Sequence, residues 1–407
     1  MDLYEIPLLL ALGALILYTV LGGADFGAGF WQLVAGRGPR AARIRDHAHD
    51  SMGPVWEANH LWLIFVLVIM WTAYPLAFGS IGSTLCVPLF VAAVGIILRG
   101  AAYALRAGAA TPREMGSIDM LFSLSSILTP FALGAAVGGI ASRRVPVGNA
   151  AGDLFTSWLN PTSILIGVLA VAVASYLAAV YMSADAVRIG EPDLARRFRA
   201  RALGAGVVAG AVALGGLVVL HSDAEPLYHG LVEGDGRPAL GLSVLAGVLT
   251  LALVWRSRFE LARYSAAVAV GAIVAGWALA QSPVLLPGLT VREAAAPHDT
   301  MVALIVALAA GAVILFPSLT LLFRLYLGGV FERTPASGAP PQRDGAVLST
   351  SAIALLERSA GASLILGFGF LTVAESGWAH AVGVAALFAF IALGFIAVVP
   401  PALTRER

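Results

Sequence analysis

PTSILIGVLAVAVASYLAAVYMSA, residues 161–184, runs for 24 residues without a charge. At about 1.5 Å of rise per residue, such a stretch crosses the roughly 30 Å apolar core of a bilayer as one helix. The next stretch, DAVRIGEPDLARRFRAR (185–201), carries Arg188, Arg196, Arg197, Arg199 and Arg201. An apolar span running into clustered arginine is the pattern of a membrane helix whose far end faces the cytoplasm.

The rest of the chain repeats the pattern. Its 407 residues are 59% hydrophobic and 12% charged, with mean hydropathy +0.87. Ordinary soluble domains carry about 25% charged residues. Half of that cannot coat a soluble surface, which excludes a soluble enzyme, a nucleic-acid binder and a disordered protein. Long apolar runs without strand-type alternation favour helices over a β-barrel. Candidate spans fall near 6–33, 52–73, 79–102, 118–140, 161–184, 202–220, 239–255, 264–281, 300–325, 353–373 and 380–400. The expected fold is an all-α polytopic bundle of about 11 spans. Residues 1–330 form a nine-helix core, 331–352 a cytoplasmic linker rich in Pro, Gly, Ala and Ser, and 353–407 two additional helices with a short tail.

All 25 basic residues are arginine, and net charge is +1. With the N-terminus outside, 19 arginines fall in cytoplasmic loops and the C-terminal tail, and 4 (Arg143, Arg144, Arg237, Arg292) fall outside. That asymmetry predicts an outside N-terminus and a cytoplasmic C-terminus. Met1–Glu5 lacks a basic n-region, so no cleavable signal peptide is expected. The single Cys86 excludes a disulfide framework and a cysteine-based metal site.

Ionisable residues inside spans cost about 2.5–3.5 kcal/mol each at a helix centre, so they mark candidate sites. Asp25 lies in Gly23-Ala-Asp-Phe-Gly-Ala-Gly29, where small residues let another helix approach. It is either a buried functional or structural charge or an interfacial residue ending the span. In Gly53-Pro-Val-Trp-Glu-Ala-Asn-His-Leu-Trp62, Glu57 and His60 are i,i+3 neighbours, as are Asn59 and Trp62. A carboxylate and an imidazole at one depth can pass protons; the same pair could be metal ligands or a polar helix contact. Arg99 could neutralise Asp25 or Glu57, or snorkel to the headgroups. Asp119, Asp185, Glu375 and His380 read as ordinary interfacial residues. The outer polar segment 221–238, with His221, Asp223, Glu225, His229, Glu233 and Asp235, is either a cation-binding cluster or a solvated loop, and its lack of a ligand spacing favours the loop. Only His60 is expected inside the bilayer, so haem ligation within this chain alone is not expected.

The stretches 23–29 and 53–64 resemble the two signature segments of subunit II of cytochrome bd-type terminal quinol oxidases. The resemblance continues in Leu128–Gly134, Leu159-Asn160-Pro161 and Leu286–Thr290, in family order, and covers residues 1 to about 330. It implies a non-haem-ligating subunit in the bacterial cytoplasmic membrane. A haem-bearing subunit I would carry haem b and haem d-type groups, and the complex would oxidise quinol and reduce dioxygen to water. A structural quinone and a small accessory subunit are further expectations; no nucleic acid is.

By the same resemblance, Glu57 stands on a cytoplasmic proton path, Asp25 is linked to assembly or stability of the haem sites, and Trp62 lies near a dioxygen route. Some members have Asp, Gly and Gln where this chain has Glu57, Ala58 and His60. The expected division of roles gives proton relay to Glu57 and His60, and structural or path roles to Asp25, Arg99 and Asn59. Two rivals remain: a secondary transporter with Asp25 and Glu57 as coupling carboxylates, and a purely structural assembly subunit.

Overall fold

The computed structural model describes residues 2–36, 38–52, 56–106, 111–327, 350–373 and 376–398. In chain order it runs α1 (Ile6–Leu17), a π turn (Tyr18–Gly22), α2 (Gly23–Leu33), α3 (Pro39–Met52), α4 (Trp56–Ala73), α5 (Pro75–Thr84) and α6 (Cys86–Arg106). It continues through α7 (Pro112–Ala141), α8 (Pro161–Arg188), α9 (Pro192–Asp223), α10 (Glu225–Val232), α11 (Arg237–Trp255) and α12 (Phe259–Gln281). Then come a small hairpin of β1 (Val284–Leu286) and β2 (Leu289–Thr290), α13 (Val291–Ala294), α14 (His298–Leu327), α15 (Thr350–Val373) and α16 (Gly377–Val398).

Eight helices among the described residues are long and apolar enough to cross a membrane; the apolar stretches Asn59–Ala73 and Gly377–Leu393 are shorter. The expected third span, 79–102, is two helices broken at Leu85, whose φ −100° and ψ 23° leave the helical region. Hydropathy cannot register that break, because both sides of it are apolar. Residues 39–52, expected as a loop, form the polar helix α3. The expected outer loop 221–238 contains α10. The β1–β2 hairpin is the small exception to an all-α chain; its turn uses Gly288 at φ +74°, a conformation open to glycine.

The chain divides into two compact units, Met1–Ser318 and Leu319–Arg407. In the second, α15 packs along α16, with Gly367 against the Leu387 side chain. The first is built around α8, which packs against α2, α7, α9 and α12. Its core is dominated by alanine and other small side chains, including Ala174, Ala178, Ala179, Ala184 and Ala266. In lipid no hydrophobic drive separates helix from solvent, so close approach of small residues is what makes such contacts favourable.

Two ends of this unit are defined by contacts. At one, Arg43 meets Glu191 (2.5 Å), Arg106 bridges Asp46 (3.2 Å) and Asp119, and Arg263 reaches the Tyr181 carbonyl (3.1 Å). At the other, Arg144 grips Asp223 through both carboxylate oxygens (2.9 and 2.7 Å), and Asp223 accepts from the backbone N–H and hydroxyl of Thr162 at the start of α8 (3.0 and 2.6 Å).

Candidate functional site

The glycines of 23–29 explain why α2 can sit at the centre of the bundle. A Cβ on Gly27 would strike the Ala174 carbonyl of α8, and one on Gly29 would strike Ser126 of α7. With both faces stripped, α2 lies in the groove between α7 and α8 and carries Asp25 inward, 1% exposed. Gly95 plays the same part on α6, where a Cβ would meet the Thr129 hydroxyl. This brings Arg99, 2% exposed, to Asp25.

Arg99 forms an ion pair with Asp25 Oδ1 and donates to the Asp25 backbone carbonyl (3.1 Å) and to Ser126 Oγ. Ser126 passes the chain on to the Phe122 carbonyl (2.5 Å). The guanidinium is sandwiched by rings, with its carbon 4.3 Å from the centre of Phe122 and 5.0 Å from that of Phe26. A delocalised, weakly hydrated cation suits such a site better than an ammonium would. Of the two roles open to Arg99, the structure has the one that neutralises Asp25.

The π turn lies one turn before Asp25. A π turn leaves a carbonyl without its usual intrahelical partner, and here Asn59 Nδ2 donates to the Leu21 carbonyl (3.3 Å). Asn59 is 2% exposed and fastens α4 to that turn. His60, half-buried, lies with its ring 6.4 Å from that of Tyr18 and 6.3 Å from that of Phe26. Trp62 is half-buried on α4. Glu57 is in the first turn of α4, but its side chain lies outside the described residues, as do Gly53, Pro54 and Val55. The structure therefore brings Asp25, Arg99, Asn59 and His60 to one region where α2, α4 and α6 meet.

Sequence reasoning missed several members. Ser126, Phe122 and Tyr18 carry no signal that separates them from the many other hydroxyls and rings in spans. Asp185, expected as an ordinary interfacial residue, is buried and accepts from Ser51 Oγ (2.6 Å) and Arg188 (2.8 Å). Beside it, His47 is buried with Nε2 3.1 Å from the Met182 carbonyl. Asp119 is held by Arg106. On α10, His229 lies between Glu225 (3.6 Å) and Glu233 (2.9 Å), and Glu233 holds its imidazole above the usual range. Glu375 lies outside the described residues, and His380 is exposed on α16. Among the described residues, no three His, Cys, Asp or Glu side chains gather as a metal-binding group.

Comparison with known proteins decides what carries this cluster. The pattern of cytochrome bd terminal oxidase subunit II matches residues 3–326. The chain belongs to that family. It is 20% identical over 225 residues to the putative cytochrome bd menaquinol oxidase subunit II of Bacillus subtilis, covering 54% of this chain and 63% of that one. It is 25% identical over 203 residues to the cytochrome bd-I ubiquinol oxidase subunit 2 of Escherichia coli K12, covering 47% and 51%. The alignments thus span between half and two thirds of these relatives. The bd oxidase structure from Geobacillus thermodenitrificans aligns with a TM-score of 0.61 and 26% identity, covering 80% of this chain and 99% of that chain. Family membership and the apolar helices make this an integral, multi-pass membrane subunit.

Proposed function

We propose that this subunit II chain works in a bacterial cytoplasmic membrane as the non-haem-ligating half of a bd-type quinol:dioxygen oxidoreductase. The observation that carries this reading is the family match over 3–326, which contains every buried charge of the cluster. The haem groups, placed in the partner subunit I, supply the electron transfer from quinol to dioxygen. This chain's own residues then have two tasks: holding the partner, and delivering cytoplasmic protons for water formation.

Glu57 and His60 are the relay pair in this reading. Both sit in the first turn or so of α4, the helix that follows the polar helix α3 with its Arg43–Glu191 contact. Each can accept a proton from one side and give it to the other, the work of a general acid–base group. Asp25, Arg99 and Ser126 act structurally: a closed charge pair fixes where α2, α6 and α7 meet, and Asn59 fixes α4 on them. The transporter reading fares worse, since a coupling carboxylate must be open to its ion and Asp25 is closed by Arg99.

The test uses a tag on this chain in its native membrane. The purified complex is expected to show haem bands of b and d type in a reduced-minus-oxidised spectrum and to contain a second membrane polypeptide. Glu57→Gln, in haem-replete complex, is expected to slow dioxygen reduction by at least about 100-fold, the lower range for loss of an acid–base group. Near-normal turnover in that variant would remove the relay role, and a colourless single-chain preparation would remove the oxidase reading.

A further inference from the structure

Trp255 ends α11 with its ring 67% exposed, and the turn after it carries two exposed arginines, Arg256 and Arg258. Backbone bonds close that turn: Arg256 N–H to the Ala252 carbonyl (3.0 Å), Ser257 N–H to that of Val254 (3.0 Å) and Arg258 N–H to that of Leu253 (2.8 Å). A third arginine reaches the turn from α9, which packs against α11. Arg199, half-buried, donates through Nη2 to the Trp255 carbonyl and lies over the indole, its guanidinium carbon 5.5 Å from the ring centre. The last carbonyls of a helix are unpaired and partly negative, so this grip fixes the guanidinium at the end of α11. Of five N–H donors it uses one; the others, Nε included, make no hydrogen bond among the described residues.

Among the described residues no carboxylate balances these three cations. The acidic residues closest to them in sequence are engaged elsewhere: Asp185 by Arg188, Glu191 by Arg43, Asp193 by Arg196 and Glu260 by Arg263. Three like charges at one corner repel, and an anion from outside the chain relieves them.

The surroundings say which anion. Helix α11 is long and apolar enough to cross a membrane, and its Leu245, Val248 and Leu249 are 71%, 62% and 53% exposed. An exposed aliphatic face that ends in Trp and then Arg is a face toward lipid, with the indole and the charges at headgroup depth. Clustered arginine directly beyond a span attracts anionic headgroups, and the planar fork of a guanidinium matches phosphate oxygens. An inorganic phosphate would meet the cations but would leave the aliphatic face uncovered.

We infer that Arg199, Arg256 and Arg258 form a binding site for the phosphate of an anionic glycerophospholipid, whose acyl chains lie along α11 beside Trp255. The site requires only that α11 spans a bilayer, so it stands independently of the proposed relay.

The probe is dioleoyl phosphatidylglycerol, titrated into the delipidated complex purified through a tag on this chain, with bound lipid counted by native mass spectrometry. Arg199→Gln, Arg256→Gln and Arg258→Gln are each expected to weaken the tightest lipid-binding step about fivefold, and the triple variant to lose it. Arg196→Gln removes the same charge from the same helix, but at a residue already paired with Asp193, and is expected to change nothing. Arg256 and Arg258 make no side-chain hydrogen bond or ion pair among the described residues, so their double variant carries the test should Arg199→Gln fail to assemble. Lipid binding that is the same in the wild type and these variants would overturn the site. An equal loss in Arg196→Gln would also overturn it, leaving only a diffuse positive field. Displacement of the lipid by inorganic phosphate, but not by chloride at the same ionic strength, would make it a site for free phosphate and overturn the lipid assignment.

Discussion

Arg99 and Asp25 are each tolerable in this interior only because the other is present. Removing one partner of a buried ion pair typically costs about 3–5 kcal/mol, since it strands the other charge. Arg99→Met is therefore expected to lower the melting temperature of the detergent-purified complex sharply, and Asp25→Asn with Arg99→Met to recover much of the loss. A double variant as unstable as the sum of the singles would mean that the two charges act separately. Both residues were visible as candidates in the sequence because charge inside an apolar span is costly wherever it occurs. The sequence left Arg99 open between Asp25, Glu57 and the headgroups, because residues 25 and 99 meet only where α2 and α6 both pack on α7. Ser126 was invisible altogether: a hydroxyl can satisfy itself on its own helix, as Ser126 does on the Phe122 carbonyl, so it leaves no hydropathy signature.

Two glycines on the first span separate what the elements need from what they tolerate. A Cβ at Gly27 would collide with the Ala174 backbone of α8, whereas one at Gly13 meets nothing within 4 Å. Gly27→Ala is expected to abolish assembly of the complex, measured by co-purification of the partner polypeptide. Gly13→Ala is expected to leave assembly intact and to favour the helix by up to about 1 kcal/mol. Equal behaviour of the two would refute the close α2–α8 contact as the organising one. At the opposite end, Asp223 closes α9 onto the first turn of α8 through Thr162 and onto the loop after α7 through Arg144. Asp223→Ala strands those donors and is expected to cost about 1–3 kcal/mol, read as a lowered melting temperature. The element boundaries that the sequence missed have one cause. The break at Leu85 separates two apolar segments, and α3 is a polar helix beside polar loops, so composition changes at neither boundary.

Across the whole molecule, pH acts first on the connections rather than on the spans. The Asp153 carboxylate is held below its usual range by the backbone N–H groups of Thr156 and Phe155, and Glu293 by the backbone N–H and hydroxyl of Thr290. A carboxylate depressed in the folded state stabilises it above its unfolded pKa, and that contribution is lost as pH falls through the folded value. His229, raised by Glu233, works in the opposite sense: its contribution is complete below the unfolded pKa and is lost as pH rises through the folded one. Limited proteolysis of the purified complex is therefore expected to open the 142–160 and 283–298 connections as pH drops below about 4. Cleavage in the α10 region is expected to increase instead as pH rises above about 6.5. Cleavage rates at these sites that follow the pH dependence of the protease alone would dismiss both.

From the sequence alone came the membrane class, the helical fold and the residues whose charge is expensive, because each of these follows from composition and local pattern; the family came from the resemblance of 23–29 and 53–64 to its signature segments. A span betrays itself by length and apolarity, and a misplaced charge by its cost. Tertiary structure decided which charges meet, which glycines are contact points, and that the first span carries a π turn held by Asn59. Those depend on rotation and separation of helices far apart in the chain. An apolar sequence encodes them weakly, because in a bilayer every face of a helix can be equally hydrophobic.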